Sequence, residues 1–158
     1  MRARRGFSLV ELMAVLAILA VLAWAILPLA EVSREREREH ELQRALWQIR
    51  DAIDAYKKVS DASMPASAPR AGGVSGYPPT LAALVQGLPD PQASGRTIYF
   101  LRRVPRDPFA PDALPADQTW GLRSFASPAD APAPGADVYD VHSLAEGTGL
   151  NGVPLRQW

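Results

Sequence analysis

The sequence predicts an α+β chain in which one long N-terminal helix packs on a small antiparallel three-stranded sheet. Three observations carry this. The helix breakers are segregated: 14 of the 15 Pro follow residue 64, and every Gly except Gly6 follows residue 71. The breaker-poor part holds an apolar stripe at Leu42, Leu46, Ile49, Ile53 and Tyr56, spaced 4, 3, 4 and 3, which is one face of a helix. The breaker-rich part holds three β-type segments at 97–104, 119–125 and 138–143, each bounded by Pro, Gly or Asp-rich turns.

Composition narrows the function classes. A chain of 158 residues supports one modest globular domain. Lys+Arg and Asp+Glu are both 17, so no global basic field exists to hold nucleic acid. There is no Cys, which excludes disulfides, thiolate metal sites and Cys nucleophiles together. His40 and His142 are the two histidines and lie far apart, so a multi-His metal cluster is excluded.

The N-terminal element opens on a short cationic leader, residues 1–6, with Arg2, Arg4 and Arg5. From Phe7 to Ala30 the chain reads FSLVELMAVLAILAVLAWAILPLA, with Glu11 as its one charge. Twenty-four residues make about 36 Å of helix, enough to cross a hydrocarbon core of roughly 30 Å. Residues 31–41 beyond it carry five acids and three Arg. The positive-inside rule therefore predicts a cytoplasmic N-terminus, with the remainder across the membrane. A signal anchor fits this pattern. So does a secretory signal peptide removed near Ala23-Trp24-Ala25. Neither explains Glu11, because a carboxylate inside an apolar run costs about 2.5–3.5 kcal/mol and usually has a partner. The alternative is that Glu11 sits near the interface and snorkels.

Residues 31–60 form the second half of the predicted helix. The string REREREHELQRALWQIRDAIDAYKK (34–58) is rich in helix formers. The stripe reads as core packing within the chain rather than as a seam for a partner helix. Trp47 lies off it. The charge run at 34–41 reads as a solvated face. The whole helix is expected from Phe7 to about Ser60, with a softening at Pro28. A loop is predicted at 60–76. A two-turn helix capped by Thr80 follows and ends near Gly87. The head, 61–158, then carries the three strands, with 127–137 as a loop between the last two.

The segment Arg5-Gly6-Phe7-Ser8-Leu9-Val10-Glu11-Leu12-Met13 resembles the type III signal of type IV pilins and type II secretion pseudopilins. The resemblance implies that a prepilin peptidase cuts between Gly6 and Phe7 and N-methylates Phe7. Glu11 then stands fifth in the mature chain, at the family's Glu position. Removing residues 1–6 takes away three Arg, leaving 14 basic against 17 acidic side chains, and frees an α-amine at Phe7. Glu11 and that cation are the natural ion pair. Between neighbouring subunits the pair would set the axial register of a helical filament.

The head also resembles the major pseudopilin of type II secretion. The motifs are Gly76-Tyr77-Pro78, Thr80 through Val85, Tyr99 through Phe109, and Tyr139-Asp140-Val141-His142-Ser143. That resemblance implies a calcium site near the C-terminus, for which this chain offers Asp137, Asp140, Ser143 and Glu146, with Asn151 nearby. Calcium takes six to eight oxygens, and the tail here lacks an acidic run. The alternative is that Asp140 and Ser143 satisfy turn backbone. Residues 147–152 form a turn rather than a phosphate loop, since no helix follows and no Lys stands beside it. Ser143 and His142 are adjacent on a strand and face opposite sides, so they make no catalytic dyad. Asp107 and Asp112 sit in a Pro-rich loop, and no enzyme is expected.

The expectation is thus a structural pseudopilin, single-pass in the inner membrane, with its head in the periplasm. It would polymerise into a filament that drives type II secretion. Expected partners are prepilin peptidase, other pseudopilins, an inner-membrane assembly platform and membrane lipid, with no nucleic acid. A pilus or DNA-uptake pilin is one alternative. A bitopic periplasmic binding protein with an uncut anchor is another.

Overall fold

The longest element, α1 (Leu9–Ser63), forms because its sequence holds no Gly and a single Pro, Pro28. From residue 29 to 63 there is neither Gly nor Pro, and Ala, Leu, Glu and Arg dominate. The computed structural model describes residues 8–63, 75–93 and 95–158, and for 24–29 the backbone alone. The first helical hydrogen bond runs from Leu12 N–H to the Ser8 carbonyl at 3.1 Å. The helix runs through Pro28 without a break and ends three residues later than expected. The following segment, 64–74, lies outside the described residues, as does most of the loop predicted at 60–76.

Internal packing divides the chain into two units, Met1–Glu37 and Arg38–Trp158, and α1 contributes to both. In the second unit the predicted stripe is the core. Leu42, Leu46, Ile49 and Ile53 are almost wholly buried and Tyr56 nearly so. They pack with Leu81 and Leu84, with Leu101 and Trp120, and with Val138, Val141 and Leu155. Each fully buried aliphatic side chain contributes about 1.5–3 kcal/mol of transfer free energy. Trp47, off the stripe as its spacing requires, is 68% exposed.

A short helix, α2 (Leu81–Gln86), buries Leu81, Ala83 and Leu84. Thr80 takes the extended conformation of an N-cap, but its side chain makes no cap hydrogen bond. The turn is closed by backbone instead, from Ala83 N–H to the Thr80 carbonyl at 3.1 Å. Gly87 ends the helix with φ at 78° and donates to the Ala83 carbonyl. A Cβ there would lie 2.3 Å from the Ile98 carbonyl oxygen, so glycine is required on both counts.

The single three-stranded sheet is a correction. The structure has two antiparallel two-stranded sheets. The first pairs β1 (Leu88–Pro89) with β2 (Thr97–Ile98). The second pairs β3 (Trp120–Arg123) with β4 (Asp140–Ser143), in the register Trp120↔Ser143 to Arg123↔Asp140. The predicted strand 97–104 stops after two residues for a visible reason. The N–H groups of Phe100 and Leu101 both donate to the Leu84 carbonyl, at 3.1 and 3.0 Å, and so leave the ladder for the end of α2. The stretch beyond reaches the second sheet through a side chain, as the Trp120 indole N–H donates to the Pro105 carbonyl at 2.8 Å.

The other two strands are also shorter than predicted. Phe125 N–H is taken by the Asp137 carboxylate at 2.8 Å, which closes the ladder beyond Arg123. Tyr77, Phe125 and Tyr139 cluster edge-to-face and stacked at centroid distances of 5.0–5.6 Å. The tail ends in a hairpin-like turn bridged at Thr148↔Pro154 and a 3₁₀ turn, Leu155–Gln157, that buries Leu155.

Candidate functional site

The N-terminal site begins where the description does. Gly6 and Phe7, the predicted cleavage and methylation residues, lie outside the described residues. Glu11 is in the first turn of α1, exposed, where a carboxylate is favoured by the helix dipole. Around it the apolar side chains are exposed too. Leu9, Val10, Leu12, Met13, Val15, Leu16, Ile18, Leu19, Val21 and Leu22 range from 47 to 74% exposed. Successive positions point in every direction around a helix, so no polar face exists here. A helix apolar all round is stable when lipid or other helices surround it. Among the described residues no helix is long and apolar enough to cross a membrane. The predicted span 7–30 takes in Phe7 and the side chains of 24–29, which lie outside the described residues.

The oxygens proposed for calcium are dispersed among other partners. Asp140 accepts from Arg50 Nε at 2.8 Å, and Arg123 Nη1 stands 3.8 Å from its other oxygen. Asp137 is spent on Phe125 N–H. Ser143 Oγ donates to Asp107 at 2.5 Å and accepts from Ala145 N–H at 3.1 Å. Glu146 is exposed and lies 3.6 Å from Arg156. Among the described residues no group of three or more acidic or imidazole side chains could hold a metal ion. These residues do not fit calcium, since two guanidinium groups already neutralise the central carboxylate.

Spacing alone did not reveal Arg50. It lies beside the core stripe on α1 and reaches three oxygens. Its Nε bonds Asp140, and its Nη2 donates to the Val141 and Trp158 backbone oxygens, both at 3.0 Å. One guanidinium thereby ties the helix, β4 and the tail together. Asp107 is a second such anchor, wholly buried. It accepts from Ser143 and from Phe109 N–H at 2.7 Å, while its own N–H donates to Thr119 Oγ1 at 3.2 Å. His142 lies across Gly121, its partner in register, where a Cβ would come within 2.2 Å of Nε2. Burial lowers the imidazole pKa; Asp140 opposes the shift, while Arg156 and Arg50 add to it.

Residues 1–27 match the prokaryotic N-terminal methylation motif. This motif is typical of type IV pilin-like proteins. It contains the leader, Gly6, Phe7, Glu11 and most of the apolar run, and it ends before the stalk and head. No curated protein and no solved structure matches the chain. The methylation motif therefore concerns the first unit, and the head is described by its own geometry.

Proposed function

We propose that the chain is a pseudopilin: a structural, non-catalytic subunit inserted with its N-terminus in the cytoplasm and its head in the periplasm. Prepilin peptidase cuts between Gly6 and Phe7 and methylates the new terminus. The subunit then leaves the inner membrane for a filament that serves type II secretion. The observation that carries this reading is the methylation motif over residues 1–27, centred on a helix whose described apolar side chains are exposed on every side. Cleavage before Phe7 removes the charged leader and leaves the apolar helix attached. The subunit thus stays lipid-bound until other such helices replace the lipid. That replacement is favourable when packing improves and Glu11 gains a cation.

A pilus subunit would share this processing. The absence of Cys and the head motifs at 76–78 and 139–143 support the secretion reading. Mass spectrometry of the membrane-extracted protein tests the common step. N-methyl-Phe at Phe7 is expected. An intact Met1, or a terminus near Ala25, would overturn it.

A further inference from the structure

A groove of about 900 Å³ runs in the second unit between α1 and the stretch that leaves β2. Ala52, Ala55 and Phe100 give it an apolar floor, and Phe100 packs on Tyr56 at a centroid distance of 5.3 Å. Arg102, Arg103 and Arg106 line one wall, while α1 contributes Asp51 and Gln48. Among the described residues none of these four charged side chains is in an ion pair. Arg106 donates to the Pro111 and Leu114 carbonyls, which are neutral and leave its charge uncancelled. Asp107 is wholly buried and engaged with Ser143 and Phe109 N–H. Asp54, Asp112 and Asp117 flank the lining, and so do Arg44 and Lys58, one helical turn along α1 from Gln48 and Ala55. These neighbours reduce the positive surplus without reversing it. The backbone supplies a second, independent observation. Phe100 and Leu101 N–H turn to the Leu84 carbonyl. Beyond them, among the described residues, the N–H and carbonyl groups of Arg102, Arg103 and Val104 make no hydrogen bond. A segment of strand composition is thus left along the groove without a ladder.

We propose that this groove binds an extended, acidic segment of a partner polypeptide. Main-chain bonds to residues 102–104 hold the segment. Its carboxylates meet the arginine wall, and the side chains of opposite alternation lie on the apolar floor. Arg102 and Arg103, whose side chains are otherwise uncommitted among the described residues, are the primary contacts. A polypeptide also brings N–H donors to Asp51 and Gln48. A nucleic acid fits less well, because Asp51 repels a phosphate chain and Phe100, already packed on Tyr56, offers no free face to a base. A second copy of the chain fits less well too, because its acid-rich stretch at 31–41 is helical. The inference goes beyond the proposed function, rests on the second unit alone and is independent of N-terminal processing.

The full chain, in detergent and isotope-labelled at its amides, is titrated with an acetylated and amidated pentapeptide of alternating glutamate and valine. The amide resonances of Arg102, Arg103 and Val104 should shift saturably, while those of Arg123 and Val141 in the second sheet stay fixed. Arg102→Gln together with Arg103→Gln should weaken binding at least fivefold and leave the thermal melt in place, and the two Arg→Lys changes should recover part of it. The same peptide with N-methylated valines should also bind more weakly. The absence of a saturable shift, or equal binding by the glutamine–valine peptide or the N-methylated one, would overturn the proposal. So would tighter binding of oligothymidylate, or a double Gln variant that binds as well as the parent. Shifts at 102–104 that follow protein concentration without peptide would give the groove to a second copy and overturn it as well.

Discussion

Arg50 shows how one side chain can do what a bound ion was expected to do. Its three hydrogen bonds end on Asp140, Val141 and Trp158, which lie 90 to 108 residues beyond it in the sequence. Removing it leaves Asp140 short of a partner and frees two backbone oxygens. Bonds to charged groups are worth about 1.5–3 kcal/mol, and Arg50 is about a third exposed. Arg50→Ala should therefore lower head stability by about 2 kcal/mol in denaturant melts, and neither calcium nor chelator should move the midpoint of the parent chain. A rise in the melting midpoint with calcium would show that the carboxylates can be recruited from their present partners. His142 gives a prediction with a sign. Burial lowers its folded pKa below the ordinary 6.5, so the unfolded chain binds more protons just below that pH. The stability this position contributes is complete above about pH 6.5. It falls as pH drops through the folded pKa. His142→Gln should flatten that part of the stability profile, and an unchanged slope would assign the pH dependence elsewhere.

At the scale of elements, the helix was legible and the sheet was half legible. Leu42, Leu46, Ile49 and Ile53 declare one face by spacing alone, and that face is the core. The same geometry separates two large side chains two positions apart. Ile49 is wholly buried and Trp47 is 68% exposed. Ile49→Ala should cost about 2–5 kcal/mol in the same melts, whereas Trp47→Ala should stay within about 0.5 kcal/mol. A large loss at Trp47 would mean that the residue is covered in the folded protein. The strands were harder to read because pairing is a property of two segments. TIYFLRRV has strand composition, yet its N–H groups at Phe100 and Leu101 find the Leu84 carbonyl, and no periodicity announces that. The predicted calcium set failed to assemble for a related reason. Asp140 and Ser143 were visible as acceptors, but Arg50, Arg123 and Asp107, their partners, lie 17 to 90 residues away in the sequence and carry no spacing signal.

For the molecule as a whole, the unresolved balance lies in its first twenty-odd residues. The head buries its apolar stripe by itself, while the described side chains of 9–22 are left uncovered. Lipid can cover them, and so can copies of the same helix, but with the proposed cleavage only the second arrangement would give Glu11 a cation in trans. Lipid and a packed helix bundle are similarly apolar, so transfer between them has little hydrophobic driving force of its own. A carboxylate in that setting costs about 2.5–3.5 kcal/mol unpaired. On the proposed reading, pairing with the Phe7 amine of a neighbour would recover part of this cost, and would do so at one axial offset. Glu11→Ala removes the cost and the register together. It should be cleaved and methylated normally, since the cut lies four residues away, yet fail to enter filaments when expressed alone. Glu11→Asp, which keeps the charge on a shorter arm, should enter at reduced yield. Sheared filament fractions from cells producing each variant give the comparison. If Glu11→Ala enters at the parent's level, packing of the apolar helices alone sets the offset and the ion pair has no part in it.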